Sequence, residues 1–122
     1  MAVAPAEFAA TSRFSDAARM RLHYHEAGPD GEPGGAPLVM LHGGGPGASA
    51  WSNFGRNLLV FAARFRTLLV DQPGFGRSDK PPVTGHYFTF AAEALAGLLD
   101  ELGIDRVHLV GNSLGGDRKS VV

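Results

Sequence analysis

The sequence predicts an α/β protein in which a mostly parallel sheet carries helices on its faces. A continuously apolar run at 38–41 and mostly apolar runs at 67–71 and 107–110 are typical of strands that are buried on both sides. Between them, at 51–65 and 88–102, apolar residues recur at three- and four-residue spacing, which predicts helices. Strands that alternate with helices need crossover connections, and such connections join parallel strands.

Composition and charge narrow the class of protein. A length of 122 residues, with 44% hydrophobic and 19% charged residues, suits one globular α/β domain rather than a disordered chain. The net charge of −1, without a block of either sign, predicts no nucleic-acid and no membrane partner. Residues 1–10 lack the features of a signal peptide, and no apolar run is long enough to span a bilayer. The chain has no cysteine, which is compatible with a reducing cytoplasm, where we expect the protein.

The first strand in chain order is predicted at 20–27. Apolar and polar positions alternate there, with Arg21, His23 and His25 on the polar face, as in a half-exposed strand near a sheet edge. His23 and His25 are suitable metal ligands in principle. No third ligand accompanies them, so two solvated histidines are the preferred interpretation and no metal site is predicted.

The apolar run 38–41 leads into a glycine-rich segment at 42–47, His-Gly-Gly-Gly-Pro-Gly. Glycines at the carboxyl end of a parallel strand allow the backbone to approach a ligand closely. A phosphate loop is disfavoured, because neither Gly-Lys-Ser/Thr nor Gly-x-Gly-x-x-Gly opening a helix is present. The segment matches the His-Gly-Gly-Gly type of oxyanion loop of lipases and esterases.

The segment 51–65 is predicted as one helix with one apolar face, made of Trp51, Phe54, Leu58, Phe61, Ala62 and Phe65. A core role for Trp51 is preferred over substrate stacking. In the Gly/Pro loop that follows the strand 67–71, Asp71 and Asp79 are interpreted as loop-capping carboxylates rather than catalytic acids. The helix at 88–102 is predicted to end at Gly103.

The last apolar strand runs directly into Gly111-Asn112-Ser113-Leu114-Gly115. Gly-x-Ser-x-Gly after such a strand is the pattern of a nucleophile elbow, in which a tight strand-to-helix turn exposes the serine. Gly111 and Gly115 avoid collisions as the chain reverses. Backbone N–H groups at the start of the next helix would face an oxyanion formed at Ser113. With the glycine loop upstream, the pattern predicts a serine nucleophile.

Four segments together resemble the meta-cleavage product hydrolases: Leu41–Gly47, Trp51–Phe54, Asp71–Asp79 and Gly111–Gly116. Members of this family split a carbon–carbon bond in ring-opened aromatic catabolites. The resemblance implies the α/β-hydrolase fold, N-terminal half only, ending at the nucleophile elbow. Residues 1–116 would then be the N-terminal part of a single domain.

The resemblance is greatest to the steroid-catabolic branch, whose members hydrolyse the seco-steroid dienoate formed after ring A is cleaved. It is carried by the Asp-Gln-Pro-Gly loop at 71–74, by Ser12-Arg13-Phe14 and by the segment 22–28. Ketonisation of the 2-hydroxy-6-oxo-dienoate, attack on its C6 carbonyl and expulsion of a dienolate are the implied steps. They need a small-molecule substrate and no metal or organic cofactor, and the resemblance implies a homo-oligomer.

The resemblance also implies the roles of individual residues. Ser113 would be the nucleophile, the N–H groups of Gly44 and Leu114 would form the oxyanion hole, and the dienoate would be bound by Gly43, Gly45, Asn53 and Asn112. Ser113 disfavours dehalogenases and epoxide hydrolases, which have aspartate there. Leu114 disfavours proline iminopeptidases, which usually have tryptophan. A carboxylesterase remains an open alternative.

The triad of this fold follows the order Ser, then Asp or Glu, then His. All five histidines of this chain precede Ser113, so this polypeptide is expected to be an inactive N-terminal fragment. Residues 117–122 bring three consecutive charges where the family has small and apolar residues, and they resemble a translated sequencing adapter. We interpret 117–122 as a non-native read-through tail; the alternative is a non-catalytic truncated module. The isolated fragment is expected to aggregate.

Overall fold

The computed structural model describes residues 5–16, 20–29, 35–45, 47–82 and 85–112. The elements, in chain order, are α1 (Pro5–Thr11), β1 (Ser12–Ser15), β2 (Leu22–Ala27), β3 (Leu38–Leu41), α2 (Ala50–Phe54), α3 (Leu58–Ala62), β4 (Thr67–Val70), α4 (Tyr87–Glu101) and β5 (His108–Gly111). The predicted alternation of strands and helices is confirmed. The predicted turn at Ser113 and the tail at 117–122 lie outside the described residues.

The five strands form one sheet in the order β1-β2-β4-β3-β5. β3 pairs in parallel with β4 and β5, whereas β2 pairs antiparallel with β1 and β4. The prediction of a parallel sheet is therefore confirmed for the three strands that the crossover helices connect. In the register, Leu41 lies opposite both Val70 and Gly111, so the loops after β3, β4 and β5 leave the same edge of the sheet.

Helices cover both faces of the sheet. On one face α4 packs on a core that includes Leu22, Tyr24, Val39, Leu41, Leu68, Val70, Leu95 and Leu98. On the other face α2 and α3 pack on a smaller cluster of Leu38, Met40, Ala50, Leu58 and Leu69, with Trp51, Phe54 and Phe61 against it. The strand residues alternate between the two clusters, as the period of two requires. Trp51 therefore has the predicted core role.

The prediction of one helix over 51–65 is wrong, because the segment forms the two short helices α2 and α3. A capping box between Ser49 and Ser52 begins α2, and the helix ends at Gly55. A Cβ on Gly55 would lie 2.7 Å from the Trp51 carbonyl oxygen, so glycine allows a close turn there. Phe65 lies beyond α3 and is 39% exposed. Trp51, Phe54, Leu58 and Phe61 do lie on one apolar cluster, as their spacing predicts, but the spacing does not reveal the interruption between α2 and α3.

The helix predicted at 88–102 is confirmed as α4, Tyr87–Glu101. Gly103 follows with a φ of +70°, a left-handed conformation that favours glycine and ends the helix.

The prediction of two solvated histidines on β2 is also wrong. His23 and His25 are 1% and 0% exposed. The alternation along the strand is correct, but the polar face is covered: the rings of Phe8 in α1 and Trp51 in α2 lie 4.5 and 4.7 Å from the His25 ring. β1 is the edge strand and β2 lies next to it, so the predicted position near a sheet edge is correct.

β5 was predicted as a buried strand, and the structure shows it partly exposed. Within the described ranges it pairs with β3 alone, and Val110 is 40% exposed.

No helix within the described ranges combines the length and the apolar character needed to cross a membrane.

Candidate active site

Three segments of the predicted site meet at the side chain of Asn53. Its Oδ1 accepts a hydrogen bond from the Gly43 N–H and another from the Asn112 Nδ2, both at 3.1 Å. The Asn112 N–H in turn donates to the Leu41 carbonyl at 3.1 Å. The glycine loop, helix α2 and the residue before Ser113 are therefore held together at the carboxyl edge of the sheet. Ser113 and Leu114 themselves lie outside the described residues.

In the glycine loop, as far as the structure describes it, the backbone amide of Gly44 is not bound by the loop's own contacts. The N–H of Gly43 is bound by Asn53, and its carbonyl lies 2.7 Å from Nδ1 of His42. Gly44 is exposed, and within the described part of the chain its N–H has no hydrogen-bond partner. Gly45 has a φ of +132°, which a residue with a side chain rarely adopts.

His42 is a structural residue with a defined tautomer. The backbone N–H of Gln72 donates to its Nε2 at 2.9 Å, so that nitrogen carries a lone pair and the proton is on Nδ1. Nδ1 then donates to the Gly43 carbonyl, and the side-chain amide of Gln72 donates to the His42 carbonyl at 2.6 Å. Because the His42 ring is fully buried and both nitrogens are occupied, it is not placed as a general base.

His108 is not placed as a general base either. It is the first residue of β5 and pairs with Leu38, at the opposite end of the strand from Gly111.

Asp71, the residue after β4, binds three hydrogen-bond donors. Its Oδ1 accepts from the Ala50 N–H at 2.8 Å, and its Oδ2 accepts from the Arg77 N–H at 3.0 Å. The Nδ1 of His23 lies 2.7 Å from the same Oδ2. Burial alone raises the pKa of Asp71, but the hydrogen bonds from His23, Arg77 and Ala50 outweigh it and hold the pKa below its usual value.

Asp71 is confirmed as a loop-capping carboxylate, because it accepts hydrogen bonds from the N–H groups of Ala50, at the start of α2, and of Arg77 in the loop. The carboxylate of Asp79 instead accepts the N–H of Arg21, before β2, at 2.9 Å.

Sequence reasoning missed a buried polar cluster formed by the end of α1, β1 and β2. The Oγ of Ser12 lies 2.5 Å from Nε2 of His23, and the Oγ1 of Thr11 lies 2.9 Å from Nδ1 of His25. Burial, with a smaller contribution from His23, lowers the pKa of His25 to about 4. In the sequence, the one signal of this cluster is the position of Asp71 at the end of a strand. That position does not indicate which side chains bind Asp71. No group of three or more metal-ligating side chains occurs within the described ranges.

A cleft of about 550 Å³ lies between the glycine loop and the loop after β4. Its walls combine aromatic rings, basic side chains and glycines, including Phe8, Gly45, Gly47, Trp51, Phe75 and Arg77. Gly45 is the residue of the predicted site that lines this cleft; Gly43, Gly44, Asn53 and Asn112 are not among its lining residues.

Comparison with known proteins identifies hydrolases as relatives of this chain. The α/β-hydrolase fold family matches residues 36–117. The 2-hydroxy-6-oxononadienedioate/2-hydroxy-6-oxononatrienedioate hydrolase of Burkholderia vietnamiensis is 49% identical over 112 residues, which cover 88% of this chain and 38% of that protein. The 2-hydroxy-6-oxo-6-phenylhexa-2,4-dienoate hydrolase of Comamonas testosteroni is 46% identical, over 87% of this chain and 37% of that protein.

A solved structure agrees with the sequence relatives. The 2-hydroxy-6-oxo-6-phenylhexa-2,4-dienoate hydrolase of Rhodococcus sp. strain RHA1 superimposes with a TM-score of 0.80 at 33% identity, over 91% of this chain and 40% of that chain. This chain thus spans about two-fifths of the length of these relatives. With the sheet order, the glycine loop and the strand that leads to Ser113, these matches show that the chain belongs to the α/β-hydrolase fold family and that its homologues are meta-cleavage product hydrolases.

Proposed function

We propose that the protein to which this sequence belongs is a serine-dependent hydrolase that cleaves a carbon–carbon bond in a 2-hydroxy-6-oxo-dienoate. The observation that carries the proposal is the pair of hydrogen bonds to Asn53, which brings the glycine loop to the residue before Ser113. The names of the relatives, which are hydrolases of such dienoates, support the same reaction.

The proposed mechanism begins with ketonisation of the substrate, after which Ser113 attacks the C6 carbonyl. The N–H groups of Gly44 and Leu114 stabilise the oxyanion. Each such donor contributes on the order of 3 kcal/mol to the transition state. The keto tautomer accepts the electron pair of the broken bond as a dienolate, and water then releases the acyl group from Ser113.

Asn53 has a positioning role in this mechanism. By binding the N–H of Gly43, it directs the loop so that the next amide, that of Gly44, remains available. Its amide also orients Asn112. We propose that Asn53 and Asn112, with the loop glycines Gly43 and Gly45, border the oxygen-rich end of the dienoate.

The general base of the proposed reaction is a histidine beyond the described residues. His42 has both ring nitrogens bound, and His108 lies at the far end of β5. We therefore expect a polypeptide of residues 1–122 alone to lack the activity, because none of its histidines follows Ser113.

As the substrate we propose the seco-steroid dienoate formed after ring A is cleaved. The support is the likeness of Ser12-Arg13-Phe14, residues 22–28 and the Asp-Gln-Pro-Gly loop to the steroid-catabolic branch. The enzyme would act on this small molecule as a cytoplasmic homo-oligomer. A comparison of kcat/KM for the steroid and phenyl dienoates tests the choice: a preference for the phenyl compound would remove the steroid proposal but not the reaction.

The reaction is tested on the protein expressed from the complete reading frame that contains residues 1–112. Loss of the dienoate chromophore is followed in the wild type, in Ser113→Ala and in Asn57→Ala, a control at an exposed residue that makes no side-chain cap. We expect Ser113→Ala to lower kcat by at least about a thousandfold, with Asn57→Ala unchanged. Full activity of Ser113→Ala would refute the proposal. Hydrolysis of a p-nitrophenyl ester without dienoate cleavage would favour a carboxylesterase.

A further inference from the structure

A second serine, Ser12, lies in a hydrogen-bonded chain of the same composition as a catalytic triad. Its Oγ is 2.5 Å from Nε2 of His23, and Nδ1 of His23 is 2.7 Å from Oδ2 of Asp71. A nucleophile within hydrogen-bond reach of a base, which a third group orients, is the geometric signature of an activated hydroxyl.

The hydrogen bonds of Asp71 determine which atoms donate and which accept in the series Ser12, His23 and Asp71. Two backbone N–H groups donate to its carboxylate, and hydrogen bonding keeps the pKa of Asp71 low, so the group is an ionised acceptor. His23 must then carry its proton on Nδ1, which leaves a lone pair on Nε2 to accept the hydroxyl proton of Ser12. This is the tautomer that a general base needs.

Ser12 is separate from the predicted active site. It is the first residue of β1, one edge of the sheet, whereas Ser113 follows β5 at the other edge. The side chain of His23 is 1% exposed and packs between the rings of Phe8 and Phe14, so its orientation is constrained. Ser12 is only partly buried, in contrast to His23.

We propose that Ser12 is a second activated serine, which forms a covalent bond with small electrophilic acyl or phosphonyl compounds. With a fluorophosphonate, the Ser12 Oγ forms a bond to phosphorus, the phosphorus–fluorine bond breaks and fluoride leaves. The hydroxyl proton passes to Nε2 of His23, and the imidazolium is stabilised by Asp71.

Two other serines of the molecule provide internal controls. Ser15 lies on the same strand, but its Oγ donates to a carboxylate oxygen of Glu101 at 2.5 Å. Ser52 is exposed on α2, and its Oγ bonds to Ser49. Neither hydroxyl contacts a histidine in these bonds, and the Glu101 carboxylate beside Ser15 is a weaker base than an imidazole.

The test is labelling of the Ser113→Ala protein, at the full length of its reading frame, with a fluorophosphonate, followed by peptide mass spectrometry. We expect an adduct at Ser12 to form at least about ten times faster than at Ser52 or Ser15. His23→Gln should reduce the Ser12 rate to that of Ser52. Should that variant fail to fold, the ratio of Ser12 to Ser52 labelling within the Ser113→Ala protein decides alone. A ratio near one would show that the array is only a cross-link of β1, β2 and β4, and would overturn the proposal. The outcome does not depend on dienoate hydrolysis.

Discussion

The two sides of the sheet differ in how polar groups are held. On the β1–β2 side, His23 and His25 are 1% and 0% exposed, and a network of side-chain and backbone hydrogen bonds surrounds Asp71. On the β5 side, Val110 is 40% exposed, and Asn112 is linked to the rest of the site by two hydrogen bonds. One side is a dense polar core, and the other is a thinly connected strand that leads to the predicted nucleophile.

We infer that the hydrogen bonds on the β1–β2 side mainly stabilise the fold, whereas those on the β5 side mainly position the candidate site. A buried polar group costs free energy unless it is paired, so the Asp71 network must be complete for the chain to fold well. The contacts of Asn53 lie nearer the surface and contribute less to stability, but they set the position of the glycine loop. Variants on the first side should therefore change folding, and variants on the second should change catalysis.

The largest effect is expected for Asp71→Ala. The change removes the acceptor for the Ala50 and Arg77 N–H groups and for His23, and leaves buried donors unpaired. Removing one partner of a buried pair costs about 3–5 kcal/mol, and denaturant unfolding measures this loss. Asp79→Ala is the control, because Asp79 accepts a single bond from the exposed Arg21 and should cost less than about 1 kcal/mol. Equal losses in the two variants would contradict the central role of Asp71.

A smaller loss is expected for Gly76→Ala, which attacks the same network from the loop. Gly76 has a φ of +54°, and a Cβ there would lie 2.2 Å from Oδ2 of Asp71. Strain and displacement of the carboxylate should together cost about 2–3 kcal/mol of unfolding free energy. Gly74→Ala is the matched control, because its φ is +88° but nothing lies within 4 Å of the added Cβ. It should cost about 1 kcal/mol; a Gly76→Ala protein as stable as Gly74→Ala would remove the steric argument.

Asn53→Ala should lower activity more than stability. It removes the acceptor that Gly43 and Asn112 share, so the glycine loop loses its support. We expect kcat/KM for the dienoate to fall about 10- to 100-fold, while the unfolding free energy falls by only about 1 kcal/mol. Asn57→Ala is the control, because Asn57 is exposed and makes no side-chain cap. Steady-state kinetics and unfolding curves on both variants check this, and unchanged kinetics for Asn53→Ala would refute its positioning role.

A further effect is a dependence of stability on pH that comes from His25. Burial lowers the pKa of His25 from 6.5 to about 4, so the unfolded chain binds more protons than the folded chain between these values. The contribution of His25 to the free energy of unfolding is then complete above about pH 6.5. It is lost as the pH falls towards 4, by no more than about 1.4 kcal/mol per pH unit. The lowered pKa of Asp71 also makes the protein less stable as the pH falls, but this effect begins only below the usual pKa of a carboxyl group.

His25→Asn should flatten the stability curve between pH 6.5 and 4, as measured by urea unfolding at a series of pH values. A curve as steep as that of the wild type would show that His25 is not the group that titrates.

The sequence was sufficient for the parts of the fold that depend on periodicity. The strands at 38–41 and 67–70 and the helix α4 have strong apolar patterns, and the structure has them where they were predicted. The period of two on β2 was also correct, but periodicity does not show whether a polar face meets water or another layer. His23 and His25 were misplaced for that reason.

The candidate site was predictable in its location and only partly in its contacts. The glycine run after β3 and Asn112 after β5 lie at the same end of the sheet because both strands are parallel neighbours. Asn53 comes from α2, and its bond to Gly43 depends on how the helix begins and ends. The break at Gly55, which shortens α2, has no periodic signal.

A crystal structure of the full-length protein with a phosphonate bound to Ser113 would show whether the glycine loop and the serine turn form one oxyanion site. We expect a phosphonyl oxygen that accepts hydrogen bonds from the N–H groups of Gly44 and Leu114, each at about 2.7–3.1 Å. A phosphonyl oxygen that points into solvent, with the Gly44 amide out of hydrogen-bonding reach, would contradict it.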